Sequence, residues 1–240
     1  MKGLGTWLFA LLVGMGTSAC GSDEDAAPQL LDPASDHYGK SYAGWAASWV
    51  EYVNRVAPPD CVSPLMDATG ASCALYQDPE SPVFFLVGNF GGVSKRTKCV
   101  VPSGKALFFP LLNVWGDNAG VPADMTLSDA DIKTFAESTF ETLAPSLLHL
   151  TVDGRAVEKL ESGALPSAPY VLNLKAGENP FACMGLDDVE GEFPGYTGGY
   201  FAMLAPLSDG PHTVRFGGGQ MSASPTNDVS IDVSYELNFR

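Results

Sequence analysis

From Val229 to Phe239 the chain alternates without a break. Val229, Ile231, Val233, Tyr235, Leu237 and Phe239 are interleaved with Ser230, Asp232, Ser234, Glu236 and Asn238. Successive side chains on a strand point to opposite faces, so this stretch predicts a strand with one dry face and one wet face. The dry face needs a second layer, and an antiparallel sheet solvated on one side provides that setting.

Other segments agree. The apolar run 83–87, bounded by Pro82 and Gly88, predicts a strand buried on both faces. Asn89-Phe90-Gly91-Gly92 turns the chain, and 93–101 is expected to return as its partner strand. A further strand covers 106–109, is interrupted by Pro110 and resumes over 111–115; a proline there implies an edge, a bulge or a strand end. Asp153-Gly154 predicts a hairpin between 147–152 and 155–160, and strands are expected over 170–174, 200–204 and 212–216. Gly217-Gly218-Gly219 has no helix after it to make a phosphate cradle, and is expected at a flexible hairpin end.

Two segments have helical periodicity. Tyr38, Tyr42, Trp45, Trp49, Tyr52 and Val56 form one stripe, with Ser35 or Asp36 as cap and Pro58-Pro59 as the stop. Ser128 caps a second helix over 128–143, with Ile132, Phe135, Ala136, Phe140 and Leu143 on its apolar face. The expected fold is mainly β: an antiparallel β-sandwich with an N-terminal aromatic helix and one inserted helix, forming a single domain over 37–240.

The N-terminus has a different character. Lys2, an apolar run over 4–13 and Gly16-Thr17-Ser18-Ala19 make a secretory signal, and the run is too short for the roughly 20 residues that span a bilayer. Cys20 at the cut resembles the lipobox of bacterial lipoproteins. That resemblance implies a signal peptide over 1–19, a diacylglycerol on Cys20 and a lipidated tether over 20–36. It also implies attachment to a membrane through the lipid. Gly21, in place of the aspartate that favours retention at the inner membrane, points to the outer membrane.

Net charge is −15 and becomes one unit more negative once Lys2 leaves, which argues against nucleic acid as a partner. Cys61, Cys73, Cys99 and Cys183 remain after processing. An even count in an exported chain predicts two disulfides, with three connectivities open.

Candidate chemistry is sparse. GxSxG, HExxH and the phosphate-binding loop are absent, and the histidines are His37, His149 and His212. Trp45, Trp49 and Tyr52 are the candidate ligand-binding residues, as rings that stack on sugars, although the same stripe serves to dock the helix on a sheet. Asp187, Asp188 and Glu190, with Glu192, form an acidic cluster to weigh for calcium, as do Asp117 and Asp124; neither has EF-hand spacing, and no cofactor is expected otherwise. Carboxylate pairs for glycoside hydrolysis are too numerous to single out.

Tyr42-x-x-Trp45-x-x-x-Trp49-x-x-Tyr52 and the stretch Cys99-Val100-Val101-Pro102-Ser103-Gly104-Lys105-Ala106-Leu107-Phe108-Phe109-Pro110-Leu111-Leu112-Asn113 together resemble a set of exported bacterial proteins, many from soil bacteria. The resemblance covers 38–240 and brings no activity with it. It implies a Cys73–Cys99 bridge and, with it, Cys61–Cys183. The expected function is a lipid-anchored envelope protein, a non-catalytic binding or structural module for an envelope protein, a glycan or another extracellular polymer. The alternative is a hydrolase of extracellular polysaccharide or peptide.

Overall fold

The alternating C-terminal strand sits inside a sheet. The computed structural model describes residues 28–56, 58–186, 189–220 and 229–240. In it β9 (Val229–Phe239) lies between β2 (Gly92–Val101) and β8 (Gly210–Gln220), and β4 (Leu143–Val152) and β5 (Arg155–Ala156) complete a five-stranded sheet in the order β2-β9-β8-β4-β5. A four-stranded sheet packs against it. Its order is β1-β3-β7-β6, from β1 (Val83–Phe85), β3 (Ala106–Asp117), β7 (Gly191–Leu204) and β6 (Ala164–Leu174). The fold is a β-sandwich, antiparallel except where β1 runs parallel to β3 and β2 parallel to β9.

The dry face of β9 does what its pattern demands. Val233, Tyr235, Leu237 and Phe239 are buried and meet Phe84, Leu107, Phe109, Tyr200, Leu204 and Phe216 between the sheets. The four-stranded sheet is buried on its other face as well, under α1 (Tyr42–Val53). Tyr42 meets Phe108 at 5.7 Å between ring centroids, Trp45 meets Phe85 at 6.2 Å and Trp49 meets Trp115 at 5.8 Å, all edge-on. The second helix, α2 (Asp129–Phe140), begins at the expected Ser128 cap and lays Ile132 and Phe135 against Gly116 of β3.

Several expectations need correction. The segment 93–101 does not return beside 83–87; it crosses to the other sheet and pairs with β9. Helix α1 starts later than expected, capped by Ser41, because Tyr38 sits in a left-handed turn with φ 52°. At Pro110, by contrast, one of the expected readings holds: the β3–β7 register slips between Pro110 and Leu112 as at a bulge, and the strand continues. Gly217-Gly218-Gly219 lies inside β8, where a Cβ on Gly217 would stand 1.9 Å from the Ile231 carbonyl oxygen. These glycines allow close strand approach and are not a flexible end. Part of the expected tether is folded: Leu31 N donates to Met203 O at 2.8 Å, Ala205 N donates to Gln29 O at 3.0 Å, and Leu30 packs against the core.

Among its described residues, the long segment between α1 and β1 has the short turn Pro64–Met66 as its one regular element and contributes little apolar surface. Disulfides fasten it at two points, Cys61–Cys183 and Cys73–Cys99. Among the described residues no helix is long and apolar enough to cross a membrane.

Candidate functional site

Strand β1 pairs with β3 over only three residues, Ala106–Phe108, so beyond Phe108 β3 has no strand on that side. The chain leaving β1 crosses from one sheet to the other through 86–91. A cavity of about 220 Å³ lies behind this crossing. Gly88, Asn89 and Phe90 of the crossing line it, as do residues 110–115 of β3, Leu143 of β4, Gln220 of β8, Ile231 of β9, Thr139 of α2, Trp49 and Leu65. The β3 bulge turns both faces of that strand to the space. Asn113 and Trp115 share the side facing α1, while Leu112 packs between the sheets.

Among the described residues that line it, no side chain ionises. Most are apolar, and Phe90 at 72% exposure is the most open of them. The amides differ in occupancy. Asn89 donates to Gly92 O at 3.2 Å and Ser94 Oγ at 3.1 Å and accepts from Gly91 N at 3.0 Å. Gln220 Nε2 donates to Thr142 Oγ1 at 2.7 Å. Asn113 Nδ2 has no partner among the described residues and is closed off from the cavity, beyond the reach of a water-sized probe.

One wall is braced by a charge. Arg96, 2% exposed, donates from Nε to Asp67 O at 2.7 Å, from Nη1 to Val87 O at 2.6 Å and to the Tyr235 hydroxyl, and from Nη2 to Gly88 O at 2.9 Å and Leu65 O at 3.3 Å. A guanidinium has five N–H donors, and all five are spent. Tyr235 in turn donates to Val87 O at 3.0 Å, and its burial pushes the phenol above its ordinary range. Asp67 organises the same corner. Burial alone would raise its carboxyl, but the N–H groups of Ser72, Thr69 and Gly70 and the Thr69 hydroxyl outweigh that and hold it below the usual carboxylate range.

A second, larger groove of about 580 Å³ has walls of both signs, among them Glu51, Arg55, Lys175 and Glu192. Glu51 and Arg55 neutralise each other at 3.0 Å, and both remain open to water. The smaller cavity is the better candidate because its walls are aromatic and dry.

The structure separates most of the residues singled out in the sequence. Trp45, Trp49 and Tyr52 are at most 4% exposed, and their polar atoms donate to His37 O, Leu86 O and Cys73 O. They dock α1 and present no open ring to a polymer, and of the three only Trp49 reaches the cavity. Cys20, Asp187 and Asp188 lie outside the described residues, and Glu190 is exposed. Among the described residues no three His, Cys, Asp or Glu side chains gather as metal ligands. Asp117 accepts the Tyr170 hydroxyl at 2.6 Å and Ala119 N at 2.8 Å, a structural use. His37 Nε2 lies 2.8 Å from Asp32 O. His149 Nε2 lies 3.4 Å from Asp232, which Arg215 chelates through both oxygens; those bonds hold the Asp232 carboxyl below its usual range.

No protein-family model matches the chain, and no curated protein is similar to it in sequence. Among solved structures, the solution structure of Amebosin covers 62% of this chain and 96% of its own at 8% identity, with a TM-score of 0.17, a likeness too slight to inform the fold.

Among the described residues, His212 makes an arrangement that resembles catalytic machinery. Its Nδ1 lies 2.7 Å from Asp153 Oδ2 and its Nε2 lies 3.2 Å from Ser208 Oγ. Nε2 is closer still, at 2.9 Å, to the Ser208 carbonyl oxygen, which can only accept. With Nδ1 facing a carboxylate that only accepts, the neutral ring keeps its lone pair at Nε2, between the Ser208 hydroxyl and the Ser208 carbonyl. Asp153 Oδ1 also accepts from Thr213 N at 2.7 Å, which makes the group a clasp between the β4–β5 hairpin and β8.

Proposed function

We propose that the mature protein is held on the cell envelope through a lipid on Cys20, at the outer membrane where the host has one. Its sandwich is a non-catalytic module that binds a surface component or an extracellular polymer. One observation carries the binding reading: the cavity at the open edge of β3 is walled by aromatic, aliphatic and amide groups and the Thr139 hydroxyl, with no acid or base among its described lining residues. Acid–base chemistry needs a titratable group within hydrogen-bond reach of the substrate, and none of the described residues lining the cavity is one. The sequence pattern from Lys2 to Cys20 supports the anchor.

The hydrolase reading draws on Ser208, His212 and Asp153, which clasp the β4–β5 hairpin to β8 and do not line the cavity. Two measurements test the proposal. Radioactive fatty acid fed to expressing cells labels the wild type and not Cys20→Ala; equal labelling removes the anchor. Hydrolysis of chromogenic esters by the mature domain is the same for wild type, Ser208→Ala and His212→Ala. A turnover that both substitutions abolish makes the protein a hydrolase.

A further inference from the structure

We infer that the sandwich stands on the membrane in one direction: the end where β7 finishes faces the lipid, and the end beyond the cavity faces away from it. The inference rests on the lipid at Cys20 and adds the side from which a partner arrives.

The strap at the start of the described chain carries the argument. Leu31 N donates to Met203 O at 2.8 Å, Ala205 N donates to Gln29 O at 3.0 Å, and Leu30 stands antiparallel to Leu204. Tyr42 fastens the strap by donating its hydroxyl to Leu31 O at 2.7 Å. Because the pairing is antiparallel, Pro28 lies at the finishing end of β7, and it is the described residue closest in the chain to Cys20.

Strand directions place everything else. Leu107 of β3 pairs with Leu204, so the connections 102–105 and 205–209 share the strap's end, with Ser103, Ser208 and Asp209 exposed there. From Leu107, β3 runs away from that end through the cavity residues 110–115 to Asp117, opposite Gly195. The crossing 86–91, the start of β2 and the loop after Asp117 form the far end. Phe90, Val93 and Met125 are 72%, 82% and 67% exposed there.

Reach decides between the two directions. The chain takes eight steps from Cys20 to Pro28 and spans at most about 26–29 Å when fully extended. Strand β7 has 14 residues and is roughly 45 Å long. A sandwich turned over, with Phe90, Val93 and Met125 against the bilayer, would hold Pro28 roughly 45 Å above the surface, where the lipidated residue cannot follow. Upright, the strap's end meets the surface with chain to spare.

The test uses the full chain, processed in cells and reconstituted into vesicles of phosphatidylethanolamine and phosphatidylglycerol. Ser103→Cys and Pro206→Cys carry a fluorophore at the strap's end, and Val93→Cys and Met125→Cys carry it at the far end; all four positions are exposed. Two positions at each end keep the comparison intact if one variant does not fold. A nitroxide on the lipid headgroups should quench the first pair at least about twofold more than the second, given the roughly 45 Å between the ends. Inserting about 24 glycine and serine residues after Gly21 should narrow that difference, because the reach then exceeds the height of the sandwich. Equal quenching of the pairs, stronger quenching at the far end, or a difference that the insertion leaves at full size overturns the orientation while the anchor stands. Wild type that does not float with the vesicles, or floats equally after Cys20→Ala, overturns the anchor and the orientation with it.

Discussion

Arg96 is the residue whose replacement should cost the fold most for its size. Arg96→Met keeps the aliphatic stem and deletes five donors. Val87 O retains the Tyr235 hydroxyl, and the carbonyls of Leu65 and Asp67 are near enough to the surface to recruit water. Gly88 O is buried and is left bare, at about 1–3 kcal/mol, and the Tyr235 hydroxyl loses a charge-assisted contact of about 1.5–3 kcal/mol. Together these give about 2.5–6 kcal/mol. For a domain of this length that is a fall in Tm of roughly 5–24 °C. Urea unfolding of the mature domain, followed by tryptophan fluorescence, measures it. Arg96→Lys, with three donors, should fall between Met and wild type. Tyr235→Phe should couple to Arg96→Met in a double-mutant cycle by more than about 0.5 kcal/mol. If Arg96→Met unfolds within about 1 kcal/mol of wild type, or the two changes are additive, the corner is not held by this network.

The two bridges and the acid limb supply further outcomes. The Cys73–Cys99 bridge closes a loop of 26 residues and Cys61–Cys183 one of 122. By chain entropy, removing them as alanine pairs should cost about 3.5 and 4.9 kcal/mol. The order of the two urea midpoints checks the account, and a larger loss for the shorter loop contradicts it. Asp67 has a folded pKa below its unfolded value, so its contribution is present above about pH 4 and is lost as pH falls through the folded value. Asp67→Asn should therefore flatten the acid limb of a stability–pH profile and leave the neutral region with a constant offset. An unchanged acid limb would remove Asp67 from the account.

Much of the scaffold was legible because periodicity reports burial directly. The alternation over 229–239 became β9, the aromatic stripe from Tyr42 became α1, and Ser128 marked the start of α2. Periodicity does not name a partner, so β2 was assigned to the wrong neighbour: a turn after 83–87 suggests a hairpin, and nothing local says that the chain changes sheets. The site was hidden for a related reason. Arg96 stands in the charged run Lys95-Arg96-Thr97-Lys98, and only the folded chain encloses it with carbonyls from two separate segments and the Tyr235 hydroxyl. The cavity draws residues from Trp49 to Ile231, and Pro110, where the bulge forms, was its one local signal. Asn113 had no signature, because an amide after an apolar run looks the same whether or not a partner awaits it.

The claim that the cavity at the open edge of β3 is the binding site meets its most direct test in a ¹⁵N spectrum. The side-chain amide and indole signals of the mature domain would be followed while benzene, a small apolar probe, is added. Asn113 and Trp115 line the cavity, whereas Asn54 and Asn173 line the charged groove. Movement of the Asn113 amide and Trp115 indole with Asn54 and Asn173 unchanged is the predicted result. Movement of Asn54 and Asn173 with Asn113 and Trp115 still would contradict it.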